Sequence, residues 1–216
     1  KYTQVADLSP LAHLAKLHSL ELRGLQMHDI GPLANLSELT TLSLEIDQLN
    51  DISPLAGLRK MTSLVLRSDL IVDLGPLAGL ANIQSLDLDT PQVSDLSPLA
   101  NLKQLRQLEI TRCPEVKDIT PLKCLTNLEW LVLNDSTVSD LSPLKSLAKL
   151  QYLRIYNSPT TTDLTSLSEL TQLEDLQLTG SALGDEQLVA LRKALPNCKI
   201  TTPFDGVLNA EGDDPF

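Results

Sequence analysis

Aromatic residues are scarce in this chain of 216 residues and make up only 3% of it. The six that occur are Tyr2, Trp130, Tyr152, Tyr156, Phe204 and Phe216. Apolar residues as a whole reach 42%, which is enough for a continuous core. Because aromatic rings are nearly absent, leucine and isoleucine must do the packing in that core.

Cysteine and basic residues are also few. Three scattered cysteines, Cys113, Cys124 and Cys198, cannot build a disulfide framework or a four-ligand zinc site, and they favour free thiols. Lys and Arg number 17 against 28 acidic residues, which gives a formal charge of −11. Nucleic acids and anionic membranes reward basic patches, so neither is expected as a partner. No apolar run approaches the ~18 residues of a membrane span, and no membrane insertion is expected.

The dominant feature is the recurring motif Asp-x-x-Pro-Leu. It begins at Asp7, Asp29, Asp51, Asp73, Asp95, Asp118 and Asp140, and an eighth copy at Asp163 has Ser166 in place of the proline. Successive copies are 22 or 23 residues apart. A fixed period in this range is typical of a solenoid, in which each repeat packs only on its neighbours.

The third copy illustrates the structure of one repeat. Its apolar residues are Ile52, Leu55, Leu58, Met61, Leu64 and Leu66. Spacing by three predicts a helical or 3₁₀-like turn, and the later spacing by two predicts a short strand. Ser53 is expected to cap the helix start, and Pro54 suits the first helical position. Stacked repeats would align their strands in one parallel sheet.

These residues resemble a known family. Leu105, Leu108 and Ile110 form a Leu-x-x-Leu-x-Leu pattern like that of leucine-rich repeats, and Asp-Leu-Ser-Pro-Leu at 95–99 is similar to the short bacterial class found in internalins. The match covers about residues 1–200. The resemblance implies an α/β solenoid with a concave parallel β-sheet and short convex helices or 3₁₀ turns. It also implies a surface or secreted protein-binding module.

The equivalent positions in successive repeats form a column, and one such column departs from the family pattern. The family often has asparagine three residues after the second strand leucine. In this chain that column is predicted to read Leu25, Asp47, Asp69, Pro91, Cys113, Ser136, Ser158 and Ser181. A full asparagine ladder therefore cannot form, and the groups that satisfy the turn backbone are left open. Cys113 in this column indicates a buried structural thiol.

The aspartate column has two readings. Stacked carboxylates would repel one another, and a bound calcium ion could relieve that repulsion. Alternatively, each aspartate accepts amide hydrogen bonds at its turn and faces a helix start. The second reading is favoured because the column lacks the mixed ligand spacing of calcium loops.

Three segments are predicted: a solenoid at 1–184, a capping helix and edge strand at 185–200, and an acidic tail at 201–216. In the cap, Leu188, Leu191 and Leu195 share one helix face. By the repeat register, Lys1 falls inside the end of a strand. An upstream domain or self-association is therefore expected at that end, because solenoid ends need covering.

No catalytic constellation is evident. The three histidines, His13, His18 and His28, fall on the convex helix, the strand edge and the outgoing turn, which disfavours a metal or catalytic cluster. No glycine-rich phosphate loop or common nucleophile motif is present. We expect no enzyme activity, no cofactor and no metal site.

Strand alternation assigns three columns of residues to the concave face. The third column begins Arg23, Glu45, Arg67, Asp89, and these charges are expected to pair across neighbouring strands. The same alternation gathers the remaining aromatics, Trp130, Tyr152 and Tyr156, in concave columns of repeats six and seven.

We call Trp130, Val132, Tyr152, Arg154 and Tyr156 the aromatic patch. Arg112 is expected nearby. The extra residues of the two 23-residue repeats are predicted near 113–115 and 158–160, flanking the patch. Tryptophan, tyrosine and arginine dominate binding hot spots, so the patch predicts a protein or peptide partner. The plain alternative is that the rings pack on one another and shield the sheet.

Other classes of function stay open at the sequence level. The chain could be a sensor segment of a larger protein, a regulatory subunit such as those of phosphatases, or a structural spacer. Unpaired cysteines favour the cytoplasm slightly, whereas the resemblance to internalins implies the cell surface or secretion.

Overall fold

The computed structural model describes residues 7–24, 28–158, 163–179 and 184–202. Within them, nine strands form one parallel sheet in chain order, which confirms the predicted solenoid. The strands are β1 Ser19–Arg23, β2 Thr41–Glu45, β3 Ser63–Arg67, β4 Ser85–Asp89, β5 Gln107–Thr111, β6 Trp130–Asn134, β7 Tyr152–Tyr156, β8 Asp175–Leu178 and β9 Lys199–Thr201.

A short 3₁₀ helix precedes each of the first eight strands on the convex side. These helices span Ser9–His13, Gly31–Asn35, Ser53–Gly57, Gly75–Leu77, Ser97–Asn101, Thr120–Cys124, Ser142–Ser146 and Thr165–Glu169. Proline occupies the first or second helical position in all but the last of them. Its fixed φ suits that position, and its missing N–H is not needed there.

Leucine ladders fill the space between the sheet and the 3₁₀ helices. Leu108, Leu131 and Leu153 are in register on β5, β6 and β7, and each is fully buried. The same column continues along the sheet as Leu42, Leu64 and Leu86. Because every repeat contributes the same side chain at the same height, one continuous core runs the length of the solenoid.

The aspartate column organises the turn before each 3₁₀ helix. In all eight copies, aspartate Oδ1 accepts a hydrogen bond from the backbone N–H two residues later, at 2.6–2.8 Å. This confirms the predicted amide hydrogen bonds. The predicted serine cap is wrong: Ser53 is itself the first helical residue, and the preceding Ile52 makes no side-chain capping bond. Asp51 supplies the acceptor instead.

These hydrogen bonds give the column a pH dependence. Ser53 lowers the pKa of Asp51 below its ordinary value of 3.8, by its backbone N–H first. Thr120 does the same to the pKa of Asp118, by its hydroxyl first. A lowered folded-state pKa contributes stability that is present above pH 3.8 and is lost as the pH falls through the folded value.

We therefore expect the double variant Asp51→Asn, Asp118→Asn to lose less stability in acid than the native chain. Asparagine keeps the Oδ1 acceptor but cannot be protonated in this range. Melting temperature measured across mildly to strongly acidic pH would check this. The exposed pair Asp47→Asn, Glu115→Gln is the charge-matched control. Equal acid sensitivity in the two double variants would contradict the role of the turns.

The position that is buried in the turn after each strand differs in part from the column predicted to replace the family's asparagine. Its occupants in the described turns after β2 to β7 are Ile46, Ser68, Thr90, Cys113, Ser136 and Ser158, all buried. The prediction is therefore right for Cys113, Ser136 and Ser158. It is one residue late for Asp47, Asp69 and Pro91, none of which is buried, and Leu25 and Ser181 lie outside the described residues. The cause is an added left-handed residue after β5, β6 and β7, namely Arg112, Asp135 and Asn157 with φ of 50°, 53° and 48°.

Small polar side chains replace the asparagine ladder. Ser68 Oγ donates to the Leu49 carbonyl at 2.6 Å, and Cys113 Sγ donates to the Thr90 carbonyl at 3.2 Å. Further along, the Ser136 and Ser158 hydroxyls bond to each other at 3.0 Å. These contacts satisfy turn groups that would otherwise be buried without partners.

The carboxyl-terminal repeat is followed by helix α1, Asp185–Ala194, and by β9, which pairs with β8. Leu188, Leu191 and Leu195 are buried against the core. The predicted strand end at Lys1 and most of the predicted tail, 203–216, lie outside the described residues. Among the helices that the structure describes, none has the length and apolar character to cross a membrane.

Candidate functional site on the concave face

The aromatic patch begins with a stacked pair of rings. Strand β6 turns Leu131 and Leu133 into the core, so Trp130, Val132 and Asn134 face the concave side. Trp130 lies opposite Tyr152 on β7. Their ring centroids are 3.5 Å apart and their planes differ by 10°. The sheet register alone therefore brings the two rings face to face.

Arg154 extends this stack along β7. Its guanidinium carbon lies 5.0 Å from the centroid of the Tyr152 ring and 5.1 Å from that of the Tyr156 ring. Both distances are within the range of cation–π attraction. Val132 lies opposite Arg154 in the register and is 5% exposed, so the stack rests on an apolar floor. Four side chains thus form one ordered row across two strands.

Two residues that the sequence did not single out hold the end of this row. Tyr156 Oη donates a 2.6 Å hydrogen bond to Gln177 Oε1, and Gln177 Nε2 donates to Asp175 Oδ1 at 3.0 Å. Gln177 and Asp175 both lie on β8, in concave columns next to the patch. Their position was readable from the register, but nothing in their residue types indicated a link to Tyr156.

Unsatisfied polar atoms are concentrated at the patch. Across the described residues, three buried side-chain polar atoms lack a hydrogen-bond partner: Asn134 Oδ1, Tyr152 Oη and Arg154 Nε. Burial raises the pKa of the Tyr152 phenol. Buried polar groups are nearly always paired, so a cluster of unpaired ones on two neighbouring strands costs stability and is typical of a functional surface.

Arg112 does not join the row. It lies in the turn after β5, where its Nε is 2.6 Å from Asp89 Oδ1 and its Nη1 is 3.2 Å from Asp69 Oδ1. Both acids belong to earlier repeats, on the side of β5 away from β6 and β7. The guanidinium of Arg112 is therefore engaged by the amino-terminal half of the sheet.

Charges in that half pair across strands, with one difference from the prediction. Glu45 is 3.4 Å from Arg23 and 3.8 Å from Arg67, as the third column indicated. The predicted pair of Arg67 with Asp89 is wrong, because Arg67 Nη2 binds Asp87 Oδ2 at 2.9 Å instead. Arg112 pairs with Asp89, and Arg67 pairs with Asp87, which lies on the same strand as Asp89.

An open depression of about 360 Å³ lies between these charges and the aromatic patch. Its lining residues are Val65, Ser85, Leu86, Asp87, Gln107, Leu108, Glu109 and Trp130. Asp87 and Glu109 face each other on β4 and β5. Burial, and next the charge of Asp87, raises the pKa of Glu109, and the charges of Arg67 and Arg154 only partly oppose this.

The histidines and cysteines are scattered along the described residues. His13 lies in the first 3₁₀ helix, His18 directly before β1, and His28 in an exposed turn, as predicted. No group of three or more potential metal ligands occurs in the part of the chain that the structure describes. The cysteines are free thiols, and Cys113 is buried as predicted. Burial raises the pKa of Cys113, and it raises that of Cys198 to about 11.

Comparison with known proteins identifies the fold. No protein-family model and no curated protein matches the chain. Among solved structures, internalin InlF from Listeria monocytogenes is 27% identical with a TM-score of 0.77, over 92% of this chain and 64% of that one. Internalin InlC2 from the same organism is 28% identical with a TM-score of 0.60, over 93% and 77%. The chain thus spans less than two thirds of the InlF structure.

A more distant likeness concerns the fold alone. The plant peptide hormone receptor RGFR1, solved in complex with RGF2, is 20% identical with a TM-score of 0.70, over 94% of this chain and 34% of that one. Together these likenesses confirm the predicted leucine-rich repeat architecture.

Proposed function

We propose that this leucine-rich repeat protein, internalin-like in its repeats, binds a protein or peptide through the aromatic patch on its concave face. The observation that carries the proposal is the exposure of Trp130. Its side chain is 37% exposed, although its ring already stacks on Tyr152. A large ring that is fixed in place and still open to solvent is suited to anchor a partner.

The side chains of the row are already fixed in the free protein, and this supports the same proposal. Ordering side chains on binding costs about 0.5–1.5 kcal/mol for each rotamer-rich side chain. Here Arg154 is already held between two rings, and Tyr156 is already held by Gln177. Much of that cost is met in the free protein. A partner would therefore gain contact area on a surface that needs little rearrangement.

The unpaired polar atoms point to a partner with hydrogen-bonding groups. Tyr152 Oη and Arg154 Nε are buried atoms of the row itself, and Asn134 Oδ1 lies on the neighbouring strand β6. A peptide backbone carries both donors and acceptors, and a small shift of the side chains would let it reach them. The fold neighbours add support, since RGFR1 was solved in complex with RGF2.

Arg112 is expected to contribute less than the row. Its guanidinium is already paired with Asp69 and Asp89, so a partner would have to compete with those carboxylates. We place it at the rim of the proposed surface.

Selection of binders from a random peptide display library tests the proposal. Binders selected on the native chain should bind Tyr156→Ala about tenfold more weakly, because that change removes one wall of the Arg154 sandwich. Arg23→Ala is the matched control, since Arg23 occupies the same concave column on β1. Affinity is measured by calorimetry for each variant.

Two outcomes would argue against this surface. If the binders are indifferent to Tyr156→Ala and sensitive to Arg23→Ala, the amino-terminal half is the binding face. If no selected peptide depends on any concave residue, the chain fits a structural spacer better.

A further inference from the structure

The depression beside Trp130 is acidic because two carboxylates lie next to each other on adjacent strands, which is unusual in a β-sheet. Asp87 and Glu109 are direct neighbours on β4 and β5. Like charges placed opposite each other on adjacent strands destabilise a sheet. Elsewhere in the amino-terminal half, the acids of this face have arginines beside them, as Glu45 and Asp89 do.

Only one of the two carboxylates is matched by a cation. Arg67 Nη2 lies 2.9 Å from Asp87 Oδ2. Glu109 has no ion pair within 4.0 Å among the described residues, and its carboxylate is half-buried. Its strand neighbour on the other side is Val132, which is apolar. Glu109 is therefore a half-buried acid that lines an open depression without an ion pair of its own, although the charges of Arg67 and Arg154 act on it.

The indole of Trp130 forms the wall on the other side of the depression. One face of the ring is covered by Tyr152, which lies toward β7. The depression lies toward β5, where Gln107 is the register partner of Trp130. The second face of the indole therefore borders the depression, and tryptophan is the aromatic residue that attracts cations best.

We propose that this depression receives a lysine or arginine side chain of the protein or peptide partner. The cationic head would sit between the free indole face of Trp130 and the carboxylates of Glu109 and Asp87. This inference rests on the proposed function, because it assigns the chemistry of one anchor on the same surface. The formal charge of −11 favours the approach of a basic partner as well.

The arrangement fits a basic side chain in both charge and shape. Charge-assisted hydrogen bonds to a carboxylate are the stronger kind, and a partly desolvated site strengthens them further. The apolar Val65 in the lining, which is only partly buried, can contact the methylene stem of the same side chain.

The test uses the peptides selected on the native chain. We expect them to be enriched in lysine or arginine, and replacement of that residue by norleucine or citrulline should weaken binding about tenfold. Glu109→Gln should cause a similar loss. Glu21→Gln is the matched control: it removes one negative charge from the same concave column, on β1. Trp130 is the only tryptophan, so its fluorescence should change when a native peptide binds and less with the neutral analogue.

Stability separates this role from a structural one. Glu109→Gln removes a charge that faces Asp87, so its melting temperature should equal or exceed that of the native chain. A clear drop would show that Glu109 serves the fold and would overturn the inference.

The remaining outcomes are distinguishable. Peptides that need Tyr156 but neither a basic residue nor Glu109 would overturn this inference and leave the proposed function standing. Equal losses of affinity in Glu21→Gln and Glu109→Gln would show that the effect comes from net charge alone. This result would also overturn the inference. Peptides that need no patch residue would overturn both.

Discussion

Leu131→Ala is expected to lower the free energy of unfolding by about 2–5 kcal/mol. Leu131 is fully buried and stands in register between Leu108 and Leu153. Shortening it leaves a cavity in the middle of a ladder. The neighbouring leucines cannot close that cavity without moving strands that are hydrogen-bonded on both sides. Urea unfolding followed by circular dichroism would measure the loss.

Leu70→Ala is the matched control for this loss. Leu70 lies in the turn after β3 and is 41% exposed, so the same change in chemistry should alter stability by no more than about 0.5 kcal/mol. Equal losses of unfolding free energy in the Leu131 and Leu70 variants would contradict the role of the leucine ladder in stability. A Leu131 variant that unfolds in two separate steps would indicate that the solenoid divides at β6, since contacts in such a fold are between neighbouring repeats.

The ladder was predictable because it depends on periodicity alone. The 22-residue spacing places Leu64, Leu86 and Leu108 at equivalent heights, and the sheet register observed for them follows directly. The aspartate turns were predictable for a similar reason, since Asx-type hydrogen bonding is local to a few residues. In both cases the information needed lies within one repeat.

The errors in the turn column arose because the turns after β2, β3 and β4 are one residue shorter than those after β5, β6 and β7. The left-handed Arg112, Asp135 and Asn157 shift the buried turn position by one. Repeat length alone does not locate this shift, because Asp135 occurs in a repeat of the common 22-residue length. Arg112 shows the consequence for side chains: its pairing with Asp89 redirects Arg67 to Asp87. Long charged side chains choose among several partners at similar cost.

The aromatic patch was only partly predictable. The register indicated that Trp130 and Tyr152 would be neighbours, and their stacking follows from that. The sandwich of Arg154 between Tyr152 and Tyr156 depends on rotamers, as does the bond from Tyr156 to Gln177. The partial burial of Glu109 depends on how the neighbouring side chains pack around it. No pattern of residue types encodes these features.

Trp130→Ala is expected to weaken binding of a selected peptide by at least about thirtyfold, or about 2 kcal/mol. The indole is shared by the row and by the acidic depression, so its loss removes contacts on both sides. The variant lacks the only tryptophan, and binding is therefore followed by the anisotropy of a labelled peptide. Trp130→Phe is the conservative comparison. It keeps a ring on Tyr152, so it should recover part of the lost affinity.

The stability of the same variant decides between a binding surface and a shield for the sheet. Trp130 is partly exposed, and its stacking on Tyr152 is worth about 0.5–1.5 kcal/mol beyond the apolar area that the ring buries. Because one face of the indole is already open to solvent, Trp130→Ala should lower the free energy of unfolding by less than Leu131→Ala does. A loss as large as that of Leu131→Ala, with unchanged affinity per folded molecule, would make the stack a structural element. Small destabilisation with a large loss of affinity is the combination that only a binding surface produces.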